Sequence, residues 1–210
     1  MDDPEPLQML NGMVGEFLTV GGCDFTHWLP AHPREVPADA RERVFQTARG
    51  AATDLLLRNL LRRSGLVPAD VPRSSEGFRR WPAGWVGSVS NKRTVIIALL
   101  GSASGYRGLG VDLEYDDGSD LTVVPGLTAP GEVPPSFARR STEWHVVLSA
   151  KEAVYKALFP TLRLPLGYDD IVLSWPGPAG QRAVAQVGSA SVEIIIGEQA
   201  PWIVSVAIWR

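Results

Sequence analysis

The chain has 210 residues, of which 45% are hydrophobic, and carries a formal net charge of −3 at pH 7. Its size predicts a globular protein with a sizeable core, built as one domain or two small lobes, and the cytoplasm is its expected location. The mild acidity argues against a nucleic-acid-binding protein, and no apolar run approaches the ~20 residues of a membrane span. The single cysteine, Cys23, excludes an internal disulfide framework.

Residues 1–38 are expected to form irregular strand and loop structure, because five prolines interrupt short apolar runs. From Asp39 to about Arg63, apolar side chains recur at helical spacing, and the Asp39-x-x-Glu42 pattern is typical of a helix start. This is the longest helix that we expect, and Gly65 is expected to end it.

Arginines cluster on this helix and in the loop that follows it. Arg41, Phe45 and Arg49 fall on consecutive turns of one side of the helix, so both guanidinium groups can face one ligand. Arg79 and Arg80 lie in a polar, Pro- and Gly-rich loop, residues 64–84. Such patches suit a small anionic ligand, although an arginine-rich chain also produces them on solvated faces.

The rest of the chain alternates β-type and helical patterns. Three β-type runs occupy residues 85–90, 94–100 and 109–114. Residues 115–138 are rich in proline and glycine and suit a connector. A helical pattern then runs from residue 136 to about residue 147 and on through residues 148–158. Four further β-type runs end the chain, at residues 170–175, 183–187, 191–196 and 202–209.

The order helix-then-strands occurs twice along the chain. It predicts an α+β fold of two similar, pseudo-symmetric lobes, each with a long helix packed on an antiparallel sheet. The N-terminal lobe, residues 1–115, would hold the arginine-containing loop and the run at 109–114. The C-terminal lobe, residues 116–210, would hold the helix at 148–158. The cleft between the lobes is the expected site.

The helix at residues 148–158 holds two of the three lysines in the chain, which has seventeen arginines. One interpretation is structural: Ser149-x-x-Glu152 is a capping box, and Glu152 with Lys156 is a surface ion pair. The other is functional, because a lysine supplies a compact point charge that an arginine does not. The helical spacing alone leaves both interpretations open.

Asp112 and Glu114 alternate with the apolar residues of the run at 109–114. Strand geometry points both carboxylates out of the same face, roughly 7 Å apart. Their mutual repulsion favours a hard cation such as Mg²⁺, which binds carboxylates together with substrate phosphates. A solvated sheet face also produces this pattern.

Two of these stretches together resemble a known family. Residues 110–114, Gly-Val-Asp-Leu-Glu, and residues 149–157, Ser-Ala-Lys-Glu-Ala-Val-Tyr-Lys-Ala, closely resemble the two signature motifs of the 4′-phosphopantetheinyl transferases of the Sfp/EntD type. Residues 81–90 are similar to the family's WPxGxxGS block, and residues 41–49 are a weaker match. The resemblance spans about residues 39–160 and points to actinobacterial members.

This resemblance implies a two-lobed monomer that binds coenzyme A and Mg²⁺, or Mn²⁺ in its place, in the cleft. The implied reaction transfers 4′-phosphopantetheine to a serine of an apo acyl carrier or peptidyl carrier protein and releases 3′,5′-ADP. Such carriers work in polyketide and nonribosomal peptide biosynthesis. No nucleic acid or membrane is expected as a partner.

The resemblance also implies roles for particular residues. Asp112, Glu114 and Glu152 would hold the metal. The catalytic residues would be Asp112, Glu152 and Lys156, with Glu152 as the base for the carrier serine, directly or through water, and Lys156 at the phosphates. The residues expected to contact coenzyme A are Arg41, Arg49, Arg79, Arg80, Ser90, Asn91, Lys151 and Lys156.

Two positions depart from the family pattern. Asn91 stands where the family usually has a histidine that touches the 3′-phosphate of coenzyme A, and Glu76 stands where related members often have a basic residue. These departures motivate the first of two alternatives to the transferase. One is a non-catalytic relative that binds coenzyme A or a carrier protein, and the other is a metal-dependent coenzyme A hydrolase.

Overall fold

The computed structural model of the chain describes residues 5–14, 18–24, 38–119, 126–132, 143–176 and 181–210. Within these ranges the fold is α+β, as predicted. The helices are α1 (Glu5–Met13), α2 (Ala38–Arg63) and α3 (Glu143–Leu162), with a 3-10 helix at Tyr168–Asp170. The strands are β1 (Thr19–Asp24), β2 (Trp85–Lys92), β3 (Val95–Ser102), β4 (Gly108–Tyr115), β5 (Val172–Ser174), β6 (Arg182–Val187), β7 (Ala190–Gln199) and β8 (Trp202–Trp209). None of the helices described is long and apolar enough to cross a membrane.

Helix α1 corrects the expectation of irregular structure near the N-terminus. Pro6 lies in the first turn, where its missing N–H is not needed for the helical hydrogen bonds. Leu7 and Leu10 are buried and anchor the helix in the core. The prediction was wrong for this segment because a proline near a helix start does not break the helix. Strand β1 agrees with the expected strand content.

The first sheet has three antiparallel strands in the order β1-β3-β2 and carries α2. Leu57, Leu60 and Leu61 of α2 pack with buried residues of β3 in one core cluster. Gly65 ends the helix as predicted, with a positive φ of 75°. The Leu66 N–H donates to the Leu61 carbonyl at 3.0 Å, which completes a Schellman turn.

The second sheet has five antiparallel strands in the order β4-β8-β7-β6-β5, and α3 packs against it. Each of the two sheets thus carries one long helix. Strand β4 pairs with β8, although residue 115, the predicted lobe boundary, separates the two strands along the chain. The two-lobe division at that boundary therefore stays a prediction.

Two glycines of β4 let α3 lie directly on the strand. A Cβ atom at Gly110 would lie 1.8 Å from the carbonyl oxygen of Ala153, and one at Gly108 would lie 2.1 Å from that of Ala157. Because a side chain at either position would push the helix away, these glycines fix the height of α3 above β4. They thereby set the distance between Asp112 and the residues of α3.

Ser149 is the seventh residue of α3, which begins at Glu143. The capping-box interpretation of Ser149 and Glu152 is therefore wrong, because the helix starts six residues before the serine. Ser149 is fully buried, and its hydroxyl has no hydrogen-bond partner within the described ranges. The side chains of Asp39 and Glu42, the other predicted cap, lie outside the described residues.

Candidate active site

A cavity of about 650 Å³ opens between the two sheets, α3 and the loop that precedes β2. Its lining combines eight acidic and basic side chains with several aromatic rings. The lining residues include Arg73, Glu76, Phe78, Arg79, Ser90, Asn91, Lys92, Asp112, Glu114, Glu152, Lys156, Phe159 and Tyr168. The cavity thus joins the two signature stretches, which lie about 40 residues apart in the sequence.

Lys156 and Asp112 form an ion pair in the cavity lining. The Lys156 ammonium donates to Asp112 Oδ1 at 2.6 Å, to Ser90 Oγ at 3.1 Å and to the Val111 carbonyl at 3.3 Å. The Ser90 hydroxyl in turn donates to Asp112 Oδ1 at 3.0 Å. The predicted pairing of Lys156 with Glu152 on the helix surface is replaced by this contact between α3 and β4.

The second oxygen of Asp112 is free for another ligand. Oδ2 is buried and has no hydrogen-bond partner in the part of the chain that is described. A buried carboxylate oxygen without a partner is costly, and a cation or a donor from a ligand would satisfy it. The predicted metal role of Asp112 is therefore compatible with its surroundings.

The other two carboxylates predicted to hold a metal line the same cavity but have protein partners. Glu114 Oε2 lies 2.6 Å from Lys92 Nζ, and Glu152 Oε1 accepts a hydrogen bond from the Tyr168 hydroxyl at 2.7 Å. Among the described residues, no three acidic, histidine or cysteine side chains come together as a ready metal site. The donors are nevertheless hard carboxylate oxygens, the type that Mg²⁺ and Mn²⁺ prefer.

Tyr168 is a site residue that the sequence did not reveal. Its burial, followed by its hydrogen bond to Glu152 and the nearby charges of Glu152, Asp112 and Glu114, raises the pKa of the Tyr168 hydroxyl. The phenol therefore stays protonated at neutral pH and donates to Glu152. It lies on a three-residue 3-10 helix outside both signature stretches, so no motif marked it.

Lys151 does not line the cavity. Its ammonium is fully buried and donates to Glu132 Oε2 at 2.7 Å and to the Tyr168 carbonyl at 2.9 Å. Burial lowers the pKa of Lys151, and the hydrogen bond to Glu132 opposes that change. The expectation that Lys151 contacts coenzyme A is thus corrected, because the side chain points into the protein.

The predicted phosphate-binding arginines separate into two groups. Arg79 lines the cavity and donates to Asp54 Oδ1 at 3.0 Å and to the Val71 carbonyl at 2.6 Å. Arg80 and Arg49 are not part of the lining, although Arg49 lies close enough to act on charges at the cavity. The side chain of Arg41 lies outside the described residues.

Arg73 lines the cavity and was missed by the sequence analysis. It faces Arg79 across a short antiparallel bridge in the loop before β2. Partial loss of solvation, followed by repulsion from Arg79 and Arg49, lowers the pKa of Arg73. Three neighbouring guanidinium groups favour an anion, which would relieve their repulsion. The loop has no periodicity that could have shown this pairing.

The two positions that depart from the family pattern also face the cavity. Glu76 forms an ion pair with Arg163, which lies just after α3. The Arg163 guanidinium also covers the Phe78 ring at 3.9 Å, and Phe78 meets Phe159 of α3 edge-to-face. Glu76 is thus held toward Arg163, which offsets its negative charge. Asn91 lines the cavity together with its sequence neighbours Ser90 and Lys92.

Comparison with known proteins agrees with the motifs. No family model matches the chain. The chain is similar to 4′-phosphopantetheinyl transferase PptT of Mycobacterium tuberculosis (strain ATCC 25618 / H37Rv), with 31% identity over 146 residues, or 66% of this chain and 62% of that protein. It is also similar to 4′-phosphopantetheinyl transferase Svp of Streptomyces mobaraensis, with 31% identity over 152 residues, or 70% of this chain and 59% of that protein.

A third relative is 4′-phosphopantetheinyl transferase Npt of Nocardia iowensis, with 27% identity over 158 residues, or 68% of this chain and 65% of that protein. The matched stretch spans about three fifths of the length of these relatives. Together with the two signature stretches on one cavity, these similarities confirm the resemblance of the chain to 4′-phosphopantetheinyl transferases of the actinobacterial type.

Proposed function

We propose that this protein transfers 4′-phosphopantetheine from coenzyme A to a serine of an apo acyl carrier or peptidyl carrier protein and releases 3′,5′-ADP. The observation that carries the proposal is the contact between Lys156 and Asp112. It brings the two signature stretches of the family to one cavity, with Glu152 on the same wall. The cavity volume of about 650 Å³ is in the usual range for a site that holds a cofactor-sized ligand.

The chemistry is a phosphoryl-type transfer. The serine oxygen of the carrier bonds to the phosphorus that bears the pantetheine arm, and the bond from that phosphorus to the bridging oxygen breaks. The electron pair leaves with 3′,5′-ADP, and the serine proton goes to Glu152, directly or through water. Positioning and charge neutralisation supply most of the catalysis in such reactions, so no covalent nucleophile of the protein is needed.

Lys156 is the residue best placed to neutralise phosphate charge. Its side chain is 28% exposed, and Nζ lies against Asp112 at the cavity wall. A lysine there acts as a compact positive charge for phosphate oxygens as charge develops on them. Ser90 helps to fix the relative positions of Lys156 and Asp112, because its hydroxyl contacts both side chains.

The proposed metal is Mg²⁺, or Mn²⁺ in its place. Asp112, Glu114 and Glu152 would hold it, with the buried Oδ2 of Asp112 as the donor that lacks a protein partner within the described ranges. When bound, a divalent cation neutralises pyrophosphate oxygens and helps to orient them. Its hard oxygen ligands are consistent with this pair of metals.

The nucleotide end of coenzyme A is proposed to bind at the arginine end of the cavity. Arg73 and Arg79 face each other there, Lys92 also lines the cavity, and Asn91 supplies a neutral hydrogen-bond donor. Guanidinium groups bind phosphate through paired hydrogen bonds. These cations would supply the positive charge that related members have from a histidine at the position of Asn91 and a basic residue at that of Glu76.

The same resemblance supports the remaining features of the proposal. The protein would act as a monomer in the cytoplasm, on carrier proteins of polyketide or nonribosomal peptide biosynthesis. Light scattering after gel filtration tests the monomer, and a panel of purified apo carriers from both kinds of pathway tests the partner.

Intact-mass spectrometry tests the reaction directly. The chain is incubated with coenzyme A, Mg²⁺ and an apo carrier, and a carrier that gains the mass of phosphopantetheine supports the transferase. Cleaved coenzyme A with an unmodified carrier would instead indicate a hydrolase, and retained coenzyme A without any reaction would indicate a binding protein. Glu152→Ala is expected to abolish transfer while the protein stays folded, since the base and one metal ligand are lost together. Wild-type transfer by this variant would refute the assigned role of Glu152.

A further inference from the structure

A partly buried series of hydrogen bonds links the segment before α3 to Glu152. Glu132 Oε2 accepts from Lys151 Nζ at 2.7 Å, and Lys151 Nζ also donates to the Tyr168 carbonyl at 2.9 Å. The Tyr168 hydroxyl then donates to Glu152 Oε1 at 2.7 Å. The side chains of Lys151 and Glu132 have no solvent exposure at all.

The position of Glu152 on α3 explains why it needs such a partner. A glutamate side chain has three rotatable bonds, and holding it in one orientation costs up to about 2 kcal/mol of conformational entropy. Its neighbour one turn along the helix, Lys156, would be the usual partner. Lys156 already donates to Asp112, Ser90 and the Val111 carbonyl, so it does not fix Glu152.

Tyr168 makes hydrogen bonds through its backbone carbonyl and through its side-chain hydroxyl. It begins a three-residue 3-10 helix, which is too short to fix its own position. The Lys151 ammonium binds the Tyr168 carbonyl, and Asp170 Oδ2 accepts from the Gly167 N–H at 2.8 Å. A buried ion pair contributes little to stability by itself, so a geometric role is the better explanation of the Glu132–Lys151 pair.

We propose that Tyr168 is a positioning residue for the transfer: its hydroxyl orients the Glu152 carboxylate in the cavity, and the Glu132–Lys151 pair holds Tyr168 in place through its backbone carbonyl. The proposal rests on the function proposed above. It assigns a role to Lys151 that differs from coenzyme A binding. It also connects the 126–132 segment to the reacting groups.

Tyr168→Phe tests this role, because it removes one hydroxyl and keeps the ring. We expect kcat to fall about tenfold, since a hydrogen bond to a charged group is lost, while KM for coenzyme A changes by less than about twofold. Calorimetry should give an unchanged Kd for coenzyme A, and thermal unfolding should still show one cooperative transition. Tyr106→Phe, on a tyrosine outside the cavity lining, is the matched control and should keep wild-type kcat.

A paired replacement tests whether the Glu132–Lys151 pair holds Tyr168 in place. Glu132→Leu with Lys151→Met removes both buried charges together, which avoids leaving either one unpaired. This variant is expected to fold and to lose about as much kcat as Tyr168→Phe, because both changes release Glu152. Adding Tyr168→Phe to it should then lower kcat by less than about twofold more, since residues that act in one series are not additive.

The outcomes separate this inference from the proposed function. If the wild-type chain modifies no carrier, the transferase and the positioning role are both refuted. If the wild type is active and Tyr168→Phe retains its kcat, only the positioning role is refuted. A fall in coenzyme A affinity that matches the fall in kcat would also overturn it, because Tyr168 would then bind the substrate itself. If the effects of Tyr168→Phe and the paired replacement on kcat are fully additive, the Glu132–Lys151 pair does not act through Tyr168.

Discussion

Gly110→Ala should destabilise the protein strongly, although it adds only one methyl group. The new Cβ would lie 1.8 Å from the Ala153 carbonyl oxygen and 2.9 Å from the Ala157 nitrogen. Both obstacles are helix backbone, so no side-chain rotation can relieve the clash, and α3 must move from β4 by on the order of 1.5 Å. Overpacking of this kind typically costs about 1–3 kcal/mol, and we expect a value near the upper end.

Urea unfolding and thermal unfolding measure this effect. A loss of about 3 kcal/mol in the free energy of unfolding corresponds to a Tm lower by roughly 6–12 °C for a chain of this size. Gly105→Ala is the matched control, because its Cβ would meet its nearest atom at 3.9 Å. Equal stabilities of the two variants would refute the argument that the glycines of β4 set the height of α3. Under the proposed function, transferase activity should fall with stability, since the same movement separates Lys156 from Asp112.

Three further variants test the helix surface and the nucleotide end of the cavity. Gly50→Ala in α2 should raise the free energy of unfolding in urea by about 1 kcal/mol, because alanine has the higher helix propensity. The new Cβ would meet no atom within 4 Å, so no clash opposes the gain. A loss of stability would contradict this prediction. Arg73→Ala should raise the Kd for coenzyme A, measured by calorimetry, about tenfold. Arg80 lies outside the cavity lining, so Arg80→Ala should change this Kd by less than about twofold. Equal effects of the two variants would refute the role of Arg73. Asn91→His should tighten coenzyme A binding more at pH 6 than at pH 8, since only the protonated imidazole adds a positive charge. An unchanged Kd at both pH values would mean that Asn91 does not face a phosphate.

The sequence predicted the regular elements well because their periodicity is local. Each of the seven β-type runs corresponds to a strand, and α2 begins within one residue of the expected position. The sequence does not predict helix α1, because Pro6 interrupts its short apolar run, although a proline in the first turn is compatible with a helix. The pairing of β4 with β8 could not be predicted, since it joins segments almost a hundred residues apart and no local pattern specifies it.

The candidate site was predictable where a motif carried it. Asp112, Glu152 and Lys156 line one cavity, as the resemblance implied. Tyr168 and Arg73 were missed, because each lies in a short irregular segment whose contacts depend on tertiary packing. Lys151 was assigned to the wrong surroundings, because a motif gives the order of residues but does not say which face of the helix is buried.

The contact between Lys156 and Asp112 has a thermodynamic consequence for ligand binding. In the structure each group neutralises the other at 2.6 Å, so Asp112 holds the ammonium that a phosphate would need. Lys156 can turn fully to a phosphate only when Asp112 gains another positive partner, and Asp112 can accept that partner more readily once Lys156 has an anion to bind. Under the proposed function, coenzyme A and the divalent cation should therefore bind with positive cooperativity, each raising the affinity for the other by the same factor.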